Sequence, residues 1–190
     1  PTFIDSYARI KRAPQIIPRK DVASIIAETG LGKGSIVVDA GTGSGALALF
    51  LANIARKVVT YEIREDFAKV AEENIGLLQL KNITVKKKDV YGGIDEKNVD
   101  VITLDLPEPW KALEAAARAL KVGGFIVSYS PTIPQVSDFV AAVAKNKSLI
   151  HVKTTETIER EWELNERVIR PLSQQIGHSG FLTFVRKVRA

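Results

Sequence analysis

Asp39, Glu62, Asp89 and Asp105 each close a short apolar run: 35–39, 57–62, 83–87 with Asp89 just beyond, and 99–104 followed by Asp105. Any one of them alone reads as a surface carboxylate. Four acids at equivalent positions in successive runs read as a site. The first opens Asp39-Ala40-Gly41-Thr42-Gly43-Ser44-Gly45. Glycines let the backbone turn sharply and approach a ligand closely. Position 46 is alanine, so the dinucleotide pattern G-x-G-x-x-G is not matched. A pyrophosphate suits the positive end of a helix, whereas an acid immediately before the loop suits an ammonium group. Glu62 follows Gly41 by 21 residues, where an acid accepts hydrogen bonds from ribose hydroxyls. Asp89 is placed to take an adenine amino group, with Val90 beside the ring.

Strands and helices must alternate to bring these acids together. Residues 19–29 read as a helix ended by Gly30 and Gly32, 35–39 as a strand, 46–55 as a helix and 57–62 as a strand. A helix over 65–79, strands over 83–87 and 99–104, a helix over 109–121, a strand over 125–130 and a helix over 134–146 follow. Strands near 149–156 and 180–188 lack a clear helix between them and suit an antiparallel edge hairpin. The expected fold is α/β: a doubly wound, Rossmann-like, seven-stranded, mostly parallel sheet with an antiparallel edge strand. In such sheets ligands bind beyond the carboxyl ends of the strands, where all four acids fall. Residues 1–190 read as one domain: a lead-in segment 1–18, a core 19–150 and C-terminal edge strands 151–190.

The 190 residues include no cysteine and two histidines, which excludes disulfides, thiolate sites and histidine-rich metal clusters. No apolar run is long enough to span a bilayer and no signal-peptide pattern stands at the start, so no membrane association and a cytoplasmic location are expected. The net charge is +5 and is gathered at the two ends of the chain, an asymmetry that suits a polyanion such as RNA. Arg9, Lys11, Arg12 and Arg19 are candidates to grip phosphates.

A nucleoside with an ammonium group and no phosphate describes S-adenosylmethionine, and residues 19–150 resemble the class I methyltransferases that use it. That resemblance implies cofactor contacts at Gln15, Asp39, Gly41, Thr42, Gly43, Ser44, Gly45, Glu62, Asp89, Val90 and Asp105. A narrower resemblance comes from Asp105-Leu106-Pro107-Glu108-Pro109-Trp110, which is similar to the tRNA (adenine-N1) methyltransferase family. Arg12-Ala13-Pro14-Gln15-Ile16-Ile17 leading to Lys20-Asp21, Tyr129-Ser130-Pro131 with Gln135, and His178-Ser179-Gly180-Phe181-Leu182 with Arg186-Lys187 resemble further segments of that family. The resemblance implies a tRNA substrate and a homo-oligomer, a tetramer. Members usually carry an N-terminal β-rich domain, and this chain starts just after where it would end. Either that domain was removed or this member never had it.

Asp105 is the candidate catalytic residue. A carboxylate bonded to the adenine amino group would orient N1 and stabilise the charge that methylation leaves on the ring. The competing role is to cap the following helix. Pro107, Trp110, Tyr129, Gln135 and His178 are candidate substrate contacts. Trp110 suits core packing equally well, and a lone histidine near a strand start is more often structural. A small-molecule methyltransferase acting on a corrin precursor, a protein methyltransferase of the same fold, and a non-catalytic RNA-binding subunit remain alternatives.

Overall fold

A computed structural model describes residues 2–12, 15–165 and 167–190. Ala13 and Pro14 of the lead-in motif lie outside them. Helix α1 (Phe3–Tyr7) opens the chain, with Thr2 and Asp5 forming a capping box. Helix α2 (Arg19–Thr29) stops at Gly30, whose φ of 66° is the left-handed conformation that ends helices. There follow β1 (Ile36–Ala40), α3 (Ala46–Ala52), β2 (Lys57–Tyr61), α4 (Glu65–Leu78), β3 (Ile83–Lys86) and β4 (Val99–Leu104). Then come α5 (Leu113–Ala119), β5 (Leu120–Ser130), α6 (Ile133–Lys145), β6 (Leu149–Thr155), a hairpin of β7 (Trp162–Asn165) and β8 (Val168–Pro171), and β9 (Phe181–Lys187).

The main sheet has the order β3-β2-β1-β4-β5-β9-β6. Strands β1 to β5 pair in parallel, and the chain reverses direction outward on either side of β1. This is the doubly wound, mostly parallel seven-stranded arrangement that the alternating pattern implies. The two C-terminal runs do pair antiparallel with each other, as expected. The antiparallel strand, β9, is nevertheless not the edge: it lies between β5 and β6 and pairs antiparallel with both. Its residues explain the inner position, because Leu182 to Val185 are all buried. Strand β6 exposes Ile150, His151 and Val152 and takes the edge.

The β-branched strand pairs divide between two cores. Val37, Val58, Val101 and Val127 pack with α2 and α3, whereas Val38, Val59, Ile102 and Ile126 pack with α5 and α6. Neighbouring strand residues point to opposite faces, so a run such as Val-Val is apolar because both faces are covered.

Two elements differ from the sequence pattern. The helix expected over 109–121 is a 3₁₀ turn at Pro109–Ala112 followed by α5, and at Leu120 the chain is already extended. Leu120 pairs with Val99, which draws the start of β5 back from the expected Phe125. The register then shifts past Gly123 and Gly124 before Phe125 pairs with Val101. A β-carbon at Gly124 would stand 2.8 Å from the carbonyl oxygen of Asp100. Gly124→Ala is therefore expected to destabilise the fold by about 1–3 kcal/mol, read as a lower denaturant midpoint. An unchanged midpoint would mean that the β4–β5 junction yields to the methyl group.

Candidate active site

The site grows from one buried carboxylate. Asp39 on β1 sits beside Thr60 of β2 and Thr103 of β4 in the strand registers. The Thr60 hydroxyl donates to Asp39 Oδ2 at 2.6 Å and the Thr103 hydroxyl to Oδ1 at 2.6 Å. Thr60 has spent its proton on Asp39, so in its 2.5 Å contact with the Thr42 hydroxyl the latter must be the donor. A chain of hydroxyls thus runs from Asp39 to the glycine loop. Burial holds the Asp39 carboxyl above the usual carboxylate range, the two threonine hydroxyls oppose this, and the nearby Glu62 adds to it.

The loop is tied down at further points. The Gly41 and Thr42 amides donate to the Tyr61 carbonyl at 3.1 and 3.3 Å. The Gly43 amide donates to Glu62 Oε2 at 3.0 Å, and the Arg64 amide to Oε1 at 2.9 Å. Gly41 has φ of 91°, and a β-carbon there would lie 2.0 Å from the Asp105 carbonyl oxygen. Only glycine lets the loop pass the end of β4 at this distance. Behind the loop, Asn74 of α4 donates to the carbonyls of Ser44 and Lys11, both at 2.9 Å. The Lys11 amide donates back to Asn74 Oδ1 at 2.9 Å, so one buried amide fixes both the loop and the lead-in segment.

A cleft is lined by Gln15, Ile16, Ile17, Gly41, Thr42, Gly43, Ser44, Ala46, Leu47 and Asp105. Six sequence candidates therefore share one cleft: Gln15, Gly41, Thr42, Gly43, Ser44 and Asp105. Ser44 is buried and its hydroxyl lacks a partner among the described residues. A buried hydroxyl without a partner is costly, and a ligand's polar group would satisfy it. Asp105 opens to solvent across the cleft mouth, while protein encloses its carboxyl on the other sides. Removal from bulk water pushes its pKa up to about 7, and the negative Asp39 contributes; water at the mouth screens part of this.

Other candidates fall elsewhere. Asp39 faces its two threonines rather than the cleft, because a carboxylate 1 % exposed must take its hydrogen bonds from within the sheet. It braces the loop. Gly45, with φ of 81°, begins α3, where a β-carbon would meet Ala71 of α4 at 3.3 Å; its role is helix packing. The Val90 side chain is buried in the core, so it offers no free surface to a ring. Asp89 is exposed and caps the Val90–Gly92 turn by accepting from the Tyr91 amide at 2.9 Å. Trp110 packs half-buried against the core.

Gln135 ties the first turn of α6 to the 105–110 loop by donating to the Pro107 carbonyl at 3.1 Å. The Tyr129 hydroxyl donates to the Ser179 carbonyl at 2.6 Å. His178 lies between Glu156 (Nδ1, 2.5 Å) and the Pro131 carbonyl (Nε2, 2.9 Å). The hydrogen bond to Glu156 raises its pKa first and the one to Pro131 second, since both partners are acceptors and favour the doubly protonated ring. Lys11, a candidate phosphate grip, is engaged with Glu73 at 2.6 Å. Among the described residues no group of three or more acids and histidines is placed to hold a metal ion. No helix of the described residues is long and apolar enough to cross a membrane.

A family model described as the tRNA methyltransferase complex GCD14 subunit matches residues 8–169. A tRNA (adenine(57)-N(1)/adenine(58)-N(1))-methyltransferase of Methanocaldococcus jannaschii is 42% identical over 98% of this chain and 76% of its own. The chain belongs to the tRNA (adenine-N1) methyltransferase family. A tRNA (adenine(58)-N(1))-methyltransferase of Thermus thermophilus is 36% identical over the full chain and 76% of its own length. Among solved structures, the tRNA (m1A58) methyltransferase of Aquifex aeolicus superposes with a TM-score of 0.90 at 29% identity, covering 100% of this chain and 77% of its own. An S-adenosylmethionine-dependent O-methyltransferase from Thermotoga maritima gives 0.92 at 33% identity, covering 100% and 72%.

Methyltransferases of this family depend on S-adenosylmethionine, and the cleft suits its methionine end: a loop with glycine at every second position, a Ser44 hydroxyl without a partner among the described residues and an acid at the mouth. The positive charge of the cofactor favours the ionised form of Asp105. A carboxyl with a raised pKa takes up a proton at mildly acid pH, and a cation bound beside it expels that proton. Cofactor affinity is expected to rise as pH increases towards about 7 and to level off above it. Calorimetry of cofactor binding at pH 6.5, in two buffers of different ionisation enthalpy, should show proton release. Release that persists undiminished in Asp105→Asn would place the titrating group elsewhere.

Proposed function

We propose that this protein transfers the methyl group of S-adenosylmethionine to N1 of an adenine in tRNA. The observation that carries this reading is Asp105, presented at the mouth of the glycine-loop cleft by the end of β4 and stiffened from behind by Pro107 and Pro109. Both relatives' names share adenine 58, which is the target favoured here. When bound, S-adenosylmethionine supplies an electrophilic methyl group on a sulfonium centre; the N1 lone pair forms the new bond as the carbon–sulfur pair passes to sulfur.

The chain's own residues then have separable tasks. Gly41, Thr42, Gly43 and Ser44 bring the backbone against the cofactor's amino-acid end, and Gln15 closes the cleft from the lead-in segment. Glu62 keeps lone pairs free beside its two amide contacts and can accept from ribose hydroxyls. Asp89, with one oxygen on the Tyr91 amide, is placed further along the same sheet edge for the adenine amino group. Asp105 accepts a hydrogen bond from the exocyclic amino group of the target adenine. That contact orients N1 and strengthens as methylation makes the ring cationic and the amino group acidic. Tyr129, Pro107 and the 3₁₀ turn bearing Trp110 shape the pocket for an extruded base. His178, with both ring nitrogens engaged by Glu156 and the Pro131 carbonyl, ties the 131 and 156 segments together.

Action on tRNA suits a cytoplasmic location. A homo-oligomer, tetrameric as the family resemblance implies, is supported by the β7–β8 hairpin, which exposes Trp162, Leu164 and Ile169, with Ile158 and Ile176 nearby. Apolar surface of this kind marks an interface. Ile169→Asp is expected to lower the solution mass measured by light scattering, and an unchanged mass would remove the hairpin from the interface.

The deciding assay supplies labelled S-adenosylmethionine and an unmodified tRNA transcript, followed by nucleoside analysis. Formation of 1-methyladenosine is expected. Asp105→Ala is expected to lower turnover by about 10³-fold while the cofactor dissociation constant changes by less than about tenfold. Turnover retained in Asp105→Ala would overturn the role assigned to it, and no label in tRNA would overturn the substrate.

A further inference from the structure

Helix α2 carries a polar stripe. Lys20, Ser24 and Glu28 recur at four-residue spacing, so they share one face. That face is stitched to β6 and to the chain just after it. Lys20 Nζ donates to the Thr157 carbonyl at 2.6 Å, the Ser24 and Thr157 hydroxyls meet at 3.2 Å, and Glu28 pairs with Lys153 at 2.6 Å. Beside the stripe, Asp21 is fully buried. It accepts from Lys20 Nζ at 3.0 Å on each oxygen and from the Ser179 hydroxyl at 2.9 Å. The Lys20 ammonium also donates to Ser179 Oγ at 2.6 Å. Lys20 therefore uses all three of its donors, on Asp21, Thr157 and Ser179. A buried ion pair adds little net stability unless the pair is so fully bonded; what this one adds is a fixed position for residues 157 and 179.

That position matters because of what Ser179 holds. Its carbonyl accepts from the Tyr129 hydroxyl, and Gly180 lies flat on the same ring: a β-carbon there would come within 2.4 Å of it. Leu104 of β4 pairs with Ser128 of β5, so Asp105 and Tyr129 are the next residues of two adjacent parallel strands. The first turn of α2 also follows directly on Ile16 and Ile17, which line the cofactor cleft.

We propose that Lys20 and Asp21 are positioning residues for methyl transfer: through Ser179 they set Tyr129 beside Asp105, on the same helix turn that holds the 15–17 wall of the cofactor cleft. This inference rests on the proposed methyl transfer to tRNA. Neither residue touches the reacting atoms. Both walls of the site, one meeting the cofactor and the other the acceptor base, hang from one buried ion pair.

The test uses Ser179 variants, which leave the ion pair itself in place. With labelled S-adenosylmethionine and tRNA transcript, Ser179→Ala is expected to lower kcat about tenfold while KM for the cofactor stays within about threefold. Ser179→Thr, which keeps the hydroxyl, should recover most of the loss. Adding Ser179→Ala to Tyr129→Phe should cost nothing further, since the Ser179 hydroxyl reaches the site only through the carbonyl that Tyr129 bonds. Losses that multiply, or a wild-type kcat in Ser179→Ala, would overturn the proposal. A second measurement needs no activity. In the free protein, Ser179→Ala should raise amide hydrogen exchange across 156–180 and 129–131 and leave β1–β3 unchanged. Unchanged exchange there would overturn the proposal too. Wild-type protein that methylates no tRNA would refute the function instead, and the exchange comparison would still decide whether the pair holds this segment.

Discussion

The arrangement rests on a carboxylate that never reaches solvent. Asp39 lies at the centre of the parallel sheet, and burying an acid there is tolerable only because strands on both sides each supply a hydroxyl. Replacing either threonine by an apolar residue would leave an oxygen of the acid without its partner, at a cost of about 1–3 kcal/mol. The clamp has a directional consequence. It fixes the proton on Thr60, which fixes the donor role of Thr42, which orients the glycine loop above. The register of β2, β1 and β4 and the shape of the loop are thus one constraint.

The same acid sets the electrostatics of the cleft. Asp105 and Asp39 carry like charge at the ends of neighbouring strands, and Asp105 has lost much of its bulk water. The negative Asp39 makes Asp105 harder to ionise, as Glu62 does for Asp39. A cationic ligand at the mouth relieves that conflict, so the unliganded protein stores a preference for positive charge where a sulfonium and, later, a methylated adenine ring would sit. Glu62, by contrast, is held by the Gly43 and Arg64 amides, one on each oxygen.

Much of this was legible in the sequence, because each feature had a local cause. Paired β-branched residues gave the buried strands, the glycine spacing gave the loop, and the terminal acids gave the edge where ligands bind. The hydroxyl clamp was not: Asp39 pairs with Thr60 and Thr103, each two residues before the acid that ends its own run, and only the strand register shows that offset. That Asp39 takes its hydrogen bonds from two threonines was not legible, because sequence shows that an acid is near a loop, not which way it faces. Asn74 carried no signal at all. It is one polar residue on a helix, and its partners, Lys11 and Ser44, are 63 and 30 residues away. The inner position of β9 was hidden for a similar reason, since an antiparallel pairing does not say which of two strands faces the solvent.

What the central strands cannot supply is the far side of the cleft. A parallel sheet presents its carboxyl edge as a row of loops open to water, and a reaction that needs a base withdrawn from its stack needs walls around that edge. Here the walls come from the two ends of the chain. The lead-in segment is pinned from behind by Asn74 and crosses the cofactor side, while the segment leading into β9 covers the acceptor side through Tyr129 and Gly180. Segments so far apart in sequence share no backbone ladder, and side chains must join them. The joint is made where α2 begins, at a lysine with every donor used and an aspartate with no exposure. A hydrophobic contact could hold the two segments together equally well, but it would let them slide. A bonded ion pair fixes distance and direction, which is what a methyl transfer in line between two bound molecules requires.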